Sequence, residues 1–144
     1  MINLTREQIE SEPAGPRMDM WIAEYMMEWT LGIDHNRSVW LDADGMFMCS
    51  LPAEGYYEDD EDFHLLHFHP SSSIMAFWMV IDKLDRKEWD IQIVSNTEEE
   101  GKEWGVSFYH YSEADALEHG SATADTVPLA GCRARLLAKL EAEK

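Results

Sequence analysis

The chain has 144 residues and a formal net charge of −18, because 29 Asp and Glu residues oppose 11 Lys and Arg residues. The length predicts a single domain over residues 1–144. Apolar residues make up 45% of the chain, with six Trp, five Tyr and five Phe, which excludes an acidic disordered tail. The charge argues against direct binding of nucleic acid, which needs clustered Lys and Arg, and against an anionic membrane surface.

The cysteine count and the start of the chain bear on the compartment. Cys49 and Cys132 are too few for a disulfide framework or a zinc quartet. The first residues show no basic start followed by an apolar run, so no secretory signal is expected. No apolar stretch is long enough to predict a membrane span. We therefore expect a cytoplasmic protein, with Cys132 as a small buried residue of the last helix.

Two helices are predicted at the start of the chain. Thr5 and Gln8 have the spacing of a capping box at the start of a short helix. Apolar residues then recur at three- and four-residue steps over residues 18–31, which predicts a longer helix with one buried face. Gly32 is expected to end it.

Residues 33–69 have a different character. The runs 38–41 and 46–49 resemble strands, and Asp44-Gly45 between them is a strong β-hairpin signal. An acidic loop over residues 54–62 follows, and residues 63–68 are compatible with a third strand. We interpret the segment as a hairpin and acidic-loop insert in the domain.

The second half predicts a helix, a hairpin and a final helix. A serine among residues 71–73 caps a helix with an apolar face, and the alternating runs 89–94 and 104–111 predict an antiparallel pair. Residues 112–120 are interpreted as one short turn. The last helix is expected to start near Thr126, and Gly131 is expected to weaken it slightly. This order predicts an α+β fold, an antiparallel sheet flanked by three amphipathic helices in a layered sandwich.

Three runs resemble a known family. They are MDMWIAEYMMEW at residues 18–29, PSSSIMAFWMVIDKL at residues 70–84 and ADTVPLAGCRARLL at residues 124–137. Together they are similar to the phage ABA-sandwich domain, a family of small proteins encoded by bacteriophages and prophages. The order Thr-x-Pro-Leu-Ala-x-Cys-Arg-Ala in the last run is the most specific part. The resemblance implies a phage origin and the layered fold, and it carries no catalytic residues over to this chain.

The leading functional hypothesis is non-enzymatic binding of a small anionic ligand, a nucleotide-derived immune signal of the infected host. The start of a helix offers free N–H donors to a phosphate, and aromatic rings can stack on a base. Simple capping by the serines is the competing interpretation. The expected ligand-binding residues are Ser71, Ser72, Ser73, His69, Arg133, Arg37, Trp40 and Tyr56.

Two alternatives concern the acidic loops and the histidines. Dense carboxylates can mimic DNA phosphates and occupy a basic host protein, although solubility alone also explains them. The residues expected to bind such a partner are Asp59, Asp60, Glu61, Asp62, Glu98, Glu99 and Glu100. A third hypothesis is a metal-dependent hydrolase, for which the weak candidates are His64, His67 and His69.

The recognised catalytic motifs are not found in the sequence, so an enzyme is the less favoured class although it is not excluded. No catalytic residue, metal site or cofactor is therefore predicted. The sequence also leaves self-association open.

Overall fold

The computed structural model describes residues 2–34, 37–50, 68–85, 87–96, 103–112 and 115–143. Its helices are α1 (Arg6–Ser11), α2 (Pro16–Trp21), α3 (Ile74–Asp82) and α4 (Val127–Ala142). Its strands are β1 (Thr30–Asp34), β2 (Arg37–Leu41), β3 (Phe47–Ser50), β4 (Trp89–Asn96), β5 (Glu103–Ser112) and β6 (Asp115–Ala124). In the described part of the chain, no helix is both long and apolar enough to cross a membrane.

The α+β class is confirmed, with a difference in the sheets. Where the sequence predicted one antiparallel sheet, the described strands form two, in the orders β1-β2-β3 and β4-β5-β6. All neighbouring strands in both sheets are antiparallel. The helices pack on a shared apolar core that both sheets border. The single-domain organisation and the insert over residues 33–69 stay predictions.

The long first helix was predicted wrongly at its end. After α2 the chain makes one π-helical turn, Ile22–Met26, and residues 30–34 form β1 instead of continuing the helix. The Trp29 amide donates to the Ala23 carbonyl at 3.0 Å, and Glu28 has a positive φ of 61°. This left-handed residue stops the helix, as a residue in that conformation commonly does. Gly32 therefore lies inside β1 and does not end the helix.

The two predicted helix caps are confirmed, and Thr126 provides a third at the predicted start of the last helix. Thr5 accepts from the Gln8 amide while the Gln8 side chain accepts from the Thr5 amide, which completes the capping box of α1. The Ser73 hydroxyl caps α3, and the Thr126 hydroxyl accepts from the Leu129 amide at 3.4 Å to cap α4. Each hydroxyl satisfies an N–H group that has no partner within its helix.

The first hairpin was predicted correctly. β2 and β3 pair as expected, and the Asp42 carboxylate accepts from the amides of Asp44 and Met46 at 2.9 Å each. Gly45 has a φ of 78°, a conformation that glycine adopts without strain. The sequence did not predict β1, which pairs with the other edge of β2.

In the second sheet, two strands were predicted and one was missed. β4 and β5 pair from Trp89 opposite His110 to Asn96 opposite Glu103, so the predicted antiparallel pair is confirmed. Residues 112–120 were interpreted as one short turn, and this was wrong because residues 115–124 form β6 along β5. Their small and polar residues have low strand propensity, and pairing with β5 overrides it.

Two glycines allow α4 to pack closely. A Cβ at Gly120 of β6 would overlap with the carbonyl of Ala134 and the amide of Ala138. A Cβ at Gly131 would overlap with the buried ring of Phe77 on α3. The cost of Gly131 to helix propensity is therefore accompanied by a packing gain, because the aromatic ring lies directly against the helix backbone.

Candidate functional site

A guanidinium, an indole and two imidazoles meet where α4 crosses the second sheet. Trp89 and His110 are register partners on β4 and β5, and their ring centroids are 4.7 Å apart. The His119 ring of β6 lies 5.6 Å from Trp89 and 5.5 Å from His110. The Cζ atom of Arg135 on α4 lies 5.3 Å from the Trp89 ring and 5.9 Å from the Phe108 ring. We call these five residues the Arg135 cluster.

Strand alternation and a sheet irregularity bring the cluster together. Residues two apart on a strand share a face, so His110 follows buried Phe108 on the side of β5 that α4 covers. The register shifts after Phe108, where Gly120 pairs with Phe108 and Glu118 pairs with Tyr109. His119 is thus the extra residue of a β-bulge, a feature that redirects side chains and is frequent next to functional sites.

The electrostatics of the cluster centre on Arg135. Its side chain is only partly exposed, and its contacts among the described residues are with aromatic rings, not with a carboxylate. Burial lowers the pKa of Arg135 to about 10, so the guanidinium still carries its charge at neutral pH. Buried charges in proteins are normally paired, so an enclosed cation of this kind favours an anionic partner.

The histidines of the cluster add polar atoms beside this cation. The Nδ1 atom of His119 is enclosed and has no hydrogen-bond partner among the described residues. Such atoms are usually satisfied in folded proteins. The Nε2 atom of His110 lies 3.9 Å from the Glu88 carboxylate, whose side chain is 62% exposed at the rim.

The Arg135 cluster offers groups that can recognise an anion and an aromatic ring. A guanidinium offers planar pairs of donors that match the oxygens of a phosphate or carboxylate. An indole face supports stacking of an aromatic ring. The two imidazoles, those of His110 and His119, are in addition groups that can donate or accept protons.

Arg133, which the sequence predicted as a ligand-binding residue, is engaged within the fold. Its guanidinium donates to the carbonyl of Glu12 from Nη2 at 2.9 Å and to the carbonyl of Thr123 from Nη1 at 3.1 Å. These bonds join α4 to the end of α1 and to β6. The side chain also borders an open cavity of about 700 Å³. Three carboxylates line the same cavity, those of Glu10, Glu103 and Asp125.

Ser71 and His69 belong to a buried polar link. The Asp19 carboxylate of α2 accepts from the Ser71 amide at 2.8 Å and from the Ser71 hydroxyl at 2.7 Å. His69 Nδ1 lies 3.5 Å from the other Asp19 oxygen. A nucleophilic serine would bond to the imidazole, whereas Ser71 bonds to the carboxylate and is fully buried. The link fastens α2 to the start of α3.

The remaining predicted ligand-binding residues are dispersed. Ser73 caps α3, Ser72 is exposed, and Trp40 is buried in the core. The backbone of Arg37 pairs with that of Asp34 in the first sheet. Tyr56 lies outside the described residues.

The acidic and histidine predictions fall mostly outside the described residues. This applies to Asp59, Asp60, Glu61, Asp62, Glu98, Glu99, Glu100, His64 and His67. Within the residues that the structure describes, no group of three or more His, Cys, Asp or Glu could hold a metal ion. Both alternatives stay predictions.

Sequence reasoning missed the Arg135 cluster for one main reason. The alternation over residues 104–111 already placed His110 on the same face as Phe108. His119 was assigned to a turn, so its position beside His110 could not be inferred. A correct prediction of β6 would have brought the two imidazoles to neighbouring strands.

The described elements define a layered α+β domain in which helices pack against small antiparallel sheets. The family model of the Phage ABA sandwich domain matches residues 20–136. The chain therefore belongs to this phage-associated family, and the resemblance of its sequence is confirmed. No curated protein and no solved structure matches the chain.

Proposed function

We propose that this phage-associated protein binds a small anionic, nucleotide-derived ligand at the Arg135 cluster. By sequestering an immune signal in the cytoplasm of the infected host, it would act against host defence as a non-enzymatic binding protein. The observation that carries the proposal is the partly enclosed Arg135 guanidinium, whose contacts among the described residues are with the rings of Trp89 and Phe108.

The cluster combines the two features that a nucleotide requires. Arg135 offers donors for a phosphate, and the partly exposed Trp89 ring beside it is an aromatic group against which a base can pack; base stacking contributes about 1–3 kcal/mol per base. The Nδ1 atom of His119, which lies beside them, is enclosed and has no hydrogen-bond partner among the described residues. The site therefore differs from the one predicted around Ser71 and Arg133, whose donors bind within the fold.

The net charge of −18 opposes an anionic ligand only at long range. Exposed charges are screened beyond about 8 Å at physiological ionic strength, whereas a partly buried guanidinium is screened less. A local cation can therefore bind an anion on an acidic protein. The exposed carboxylate of Glu88 lies 3.9 Å from His110 Nε2 at the edge of the cluster.

The proposal is tested by thermal shift with cyclic mononucleotides, cyclic dinucleotides and isomers of cyclic ADP-ribose. A ligand that binds only the folded chain raises the Tm, with about 2.7 kcal/mol of stabilisation at a hundredfold excess over Kd. At least one compound is expected to raise the Tm of the unmodified protein. The Arg135→Met variant is expected to lose that shift.

A matched control separates the site from general charge. Arg6→Met removes one exposed positive charge from α1, where Arg6 pairs with Glu10 at 3.1 Å. It should keep the full shift. The proposal fails when no compound of the panel shifts the Tm at high concentration, or when Arg135→Met keeps the shift.

A second candidate function is an acidic decoy that binds and blocks a basic host defence protein. Carboxylates line both cavities described for this chain, Asp42 and Asp82 in one and Glu10, Glu103 and Asp125 in the other. This observation favours a cationic partner there. The decoy predicts capture of a defined basic host protein at low salt and its release at moderate salt. Retention of that protein in high salt would argue against it.

A further inference from the structure

Helix α3 is apolar on the side that faces solvent as well as on the side that faces the core. Its buried residues include Phe77 and Ile81, which lie on the core side. Four large apolar residues on the opposite side are between 44% and 71% exposed, and we call them the α3 outer face: Ile74, Met75, Trp78 and Met79. A helix that is hydrophobic all round is normally buried, so this face fits a binding surface.

An apolar groove continues the α3 outer face toward the first sheet. It has a volume of about 360 Å³ and shares Met79 with the helix face. Methionine side chains are flexible and polarisable, and they adapt to partners of different shape. The other groove residues are Met27, Trp29, Met48, Asp42, Asp82 and Lys83.

Charge decides which partner fits. Among the described residues that line the groove, Asp42 and Asp82 oppose one lysine, Lys83, and the whole chain carries a net charge of −18. A second copy would bring a like charge of the same size, and an anionic membrane would also be repelled. A positively charged partner is favoured at both short and long range.

We infer that the α3 outer face and its groove dock an amphipathic helix of a partner protein, with apolar residues on the methionines and Lys or Arg beside Asp42 and Asp82. This mode of recognition lays the apolar side of a helix into a hydrophobic groove. The nine residues of α3 are about 13 Å long, which accommodates two to three helical turns. The inference deepens the decoy candidate and does not depend on the Arg135 cluster.

The test uses two labelled synthetic peptides with the same leucine face, one with lysines and one with glutamates on the polar side. Fluorescence anisotropy measures their binding to the full chain. The lysine peptide is expected to bind and the glutamate peptide is not. A double variant, Met75→Ser with Trp78→Ser, should weaken binding about tenfold, the usual effect of removing apolar anchors.

Further variants separate apolar docking from general attraction. Asp82→Lys should weaken binding of the lysine peptide and reduce its salt dependence. The control Ile93→Ser removes an apolar side chain that is 39% exposed on β4, and it should leave binding unchanged. Because these side chains are exposed, circular dichroism is expected to show folded variants in each case.

Several outcomes would overturn the inference. Unchanged binding of the lysine peptide by the Met75 and Trp78 double variant would mean that the peptide is attracted to the overall negative charge of the protein. That result would contradict docking on the α3 outer face and would leave the decoy candidate standing. Equal binding of both peptides, or of neither, would also contradict it. Trp78-dependent dimerisation in ultracentrifugation, or Trp78-dependent binding to lipid vesicles, would assign the face to a second copy or to a membrane instead.

Discussion

Arg133 and Arg135 lie two residues apart on α4 and have opposite surroundings. Arg133 donates to the carbonyls of Glu12 and Thr123 and so joins three elements of the fold. Arg135 lies over the rings of Trp89 and Phe108. The same side chain thus serves as a structural clamp in one place and as an available cation in the other. Residue type and position in the sequence alone did not distinguish these roles, whereas the partners of each guanidinium do.

The largest effect is expected from moving the helix that carries both arginines. Gly120→Ala would place a methyl group against the backbone of Ala134 and Ala138 on either side of Arg135. Backbone atoms cannot relieve the overlap by changing rotamer as a side chain can. The overpacking should therefore lower the free energy of unfolding by about 1–3 kcal/mol or more. Urea denaturation measures the free energy of unfolding. A loss below about 0.5 kcal/mol would contradict this close packing.

The second largest effect is expected from removing Arg133, the residue that clamps α4 to the rest of the fold. Arg133→Met would leave the carbonyls of Glu12 and Thr123 without their donor, and we expect a loss of about 1–3 kcal/mol in the free energy of unfolding. Binding at the Arg135 cluster should persist in the folded variant. Loss of ligand binding with unchanged stability would reverse the roles assigned to the two arginines.

A smaller effect on stability is expected at the cluster itself. Arg135→Met would keep an apolar stem, lose a cation–π contact of about 0.5–1 kcal/mol and remove the cost of burying a charge. The free energy of unfolding should therefore change by no more than about 1 kcal/mol, while anion binding is lost. A drop of the size expected for Arg133→Met would show that Arg135 is also structural.

The pH dependence of the same variant sharpens the comparison. The folded-state pKa of Arg135 is about 10, below the ordinary value of 12.5, so between these values the folded chain binds fewer protons than the unfolded chain. Stability due to Arg135 should rise with pH above about 10 and be constant below it. Urea denaturation of both proteins at pH 7, 9 and 10.5 should give a difference that changes only at the last pH. A difference that changes between pH 7 and 9 would contradict the assignment.

Cys132 reports whether α4 stays docked. Burial, together with the charge of Asp19, raises the pKa of this thiol well above its ordinary value, so little thiolate is present at pH 8. Alkylation of Cys132 should be slow in the native protein and in Arg135→Met, and faster in Arg133→Met. Mass spectrometry after timed alkylation distinguishes Cys132 from Cys49. Rapid labelling in the unmodified protein would contradict the packing of α4.

Local signals predicted much of the fold. The hydroxyls of Thr5 and Ser73 cap helices as predicted, the last helix starts next to Thr126, and Asp44-Gly45 marks the first hairpin. Local signals did not predict β6, because its strand conformation depends on pairing with β5. They also did not predict the left-handed Glu28 that ends the helical segment begun by α2.

The candidate site was harder to predict because its residues come from four separate elements. Ser71 and Arg133 had the right chemistry for an anion, yet the fold satisfies their donors with Asp19 and with backbone carbonyls. Arg135 was visible only as part of a basic helix. Its distinctive feature, the contact with Trp89, requires the packing of α4 on the sheet.

The most direct test of the central claim compares the two guanidiniums in one spectrum. The chain has six arginines, and their Nε–H signals can be observed by NMR in protein labelled with ¹⁵N-arginine and assigned with the two Met variants. Titration with the ligand identified by thermal shift should move the Arg135 signal and leave the Arg133 signal in place. Movement of the Arg133 signal with an unchanged Arg135 signal would contradict the account.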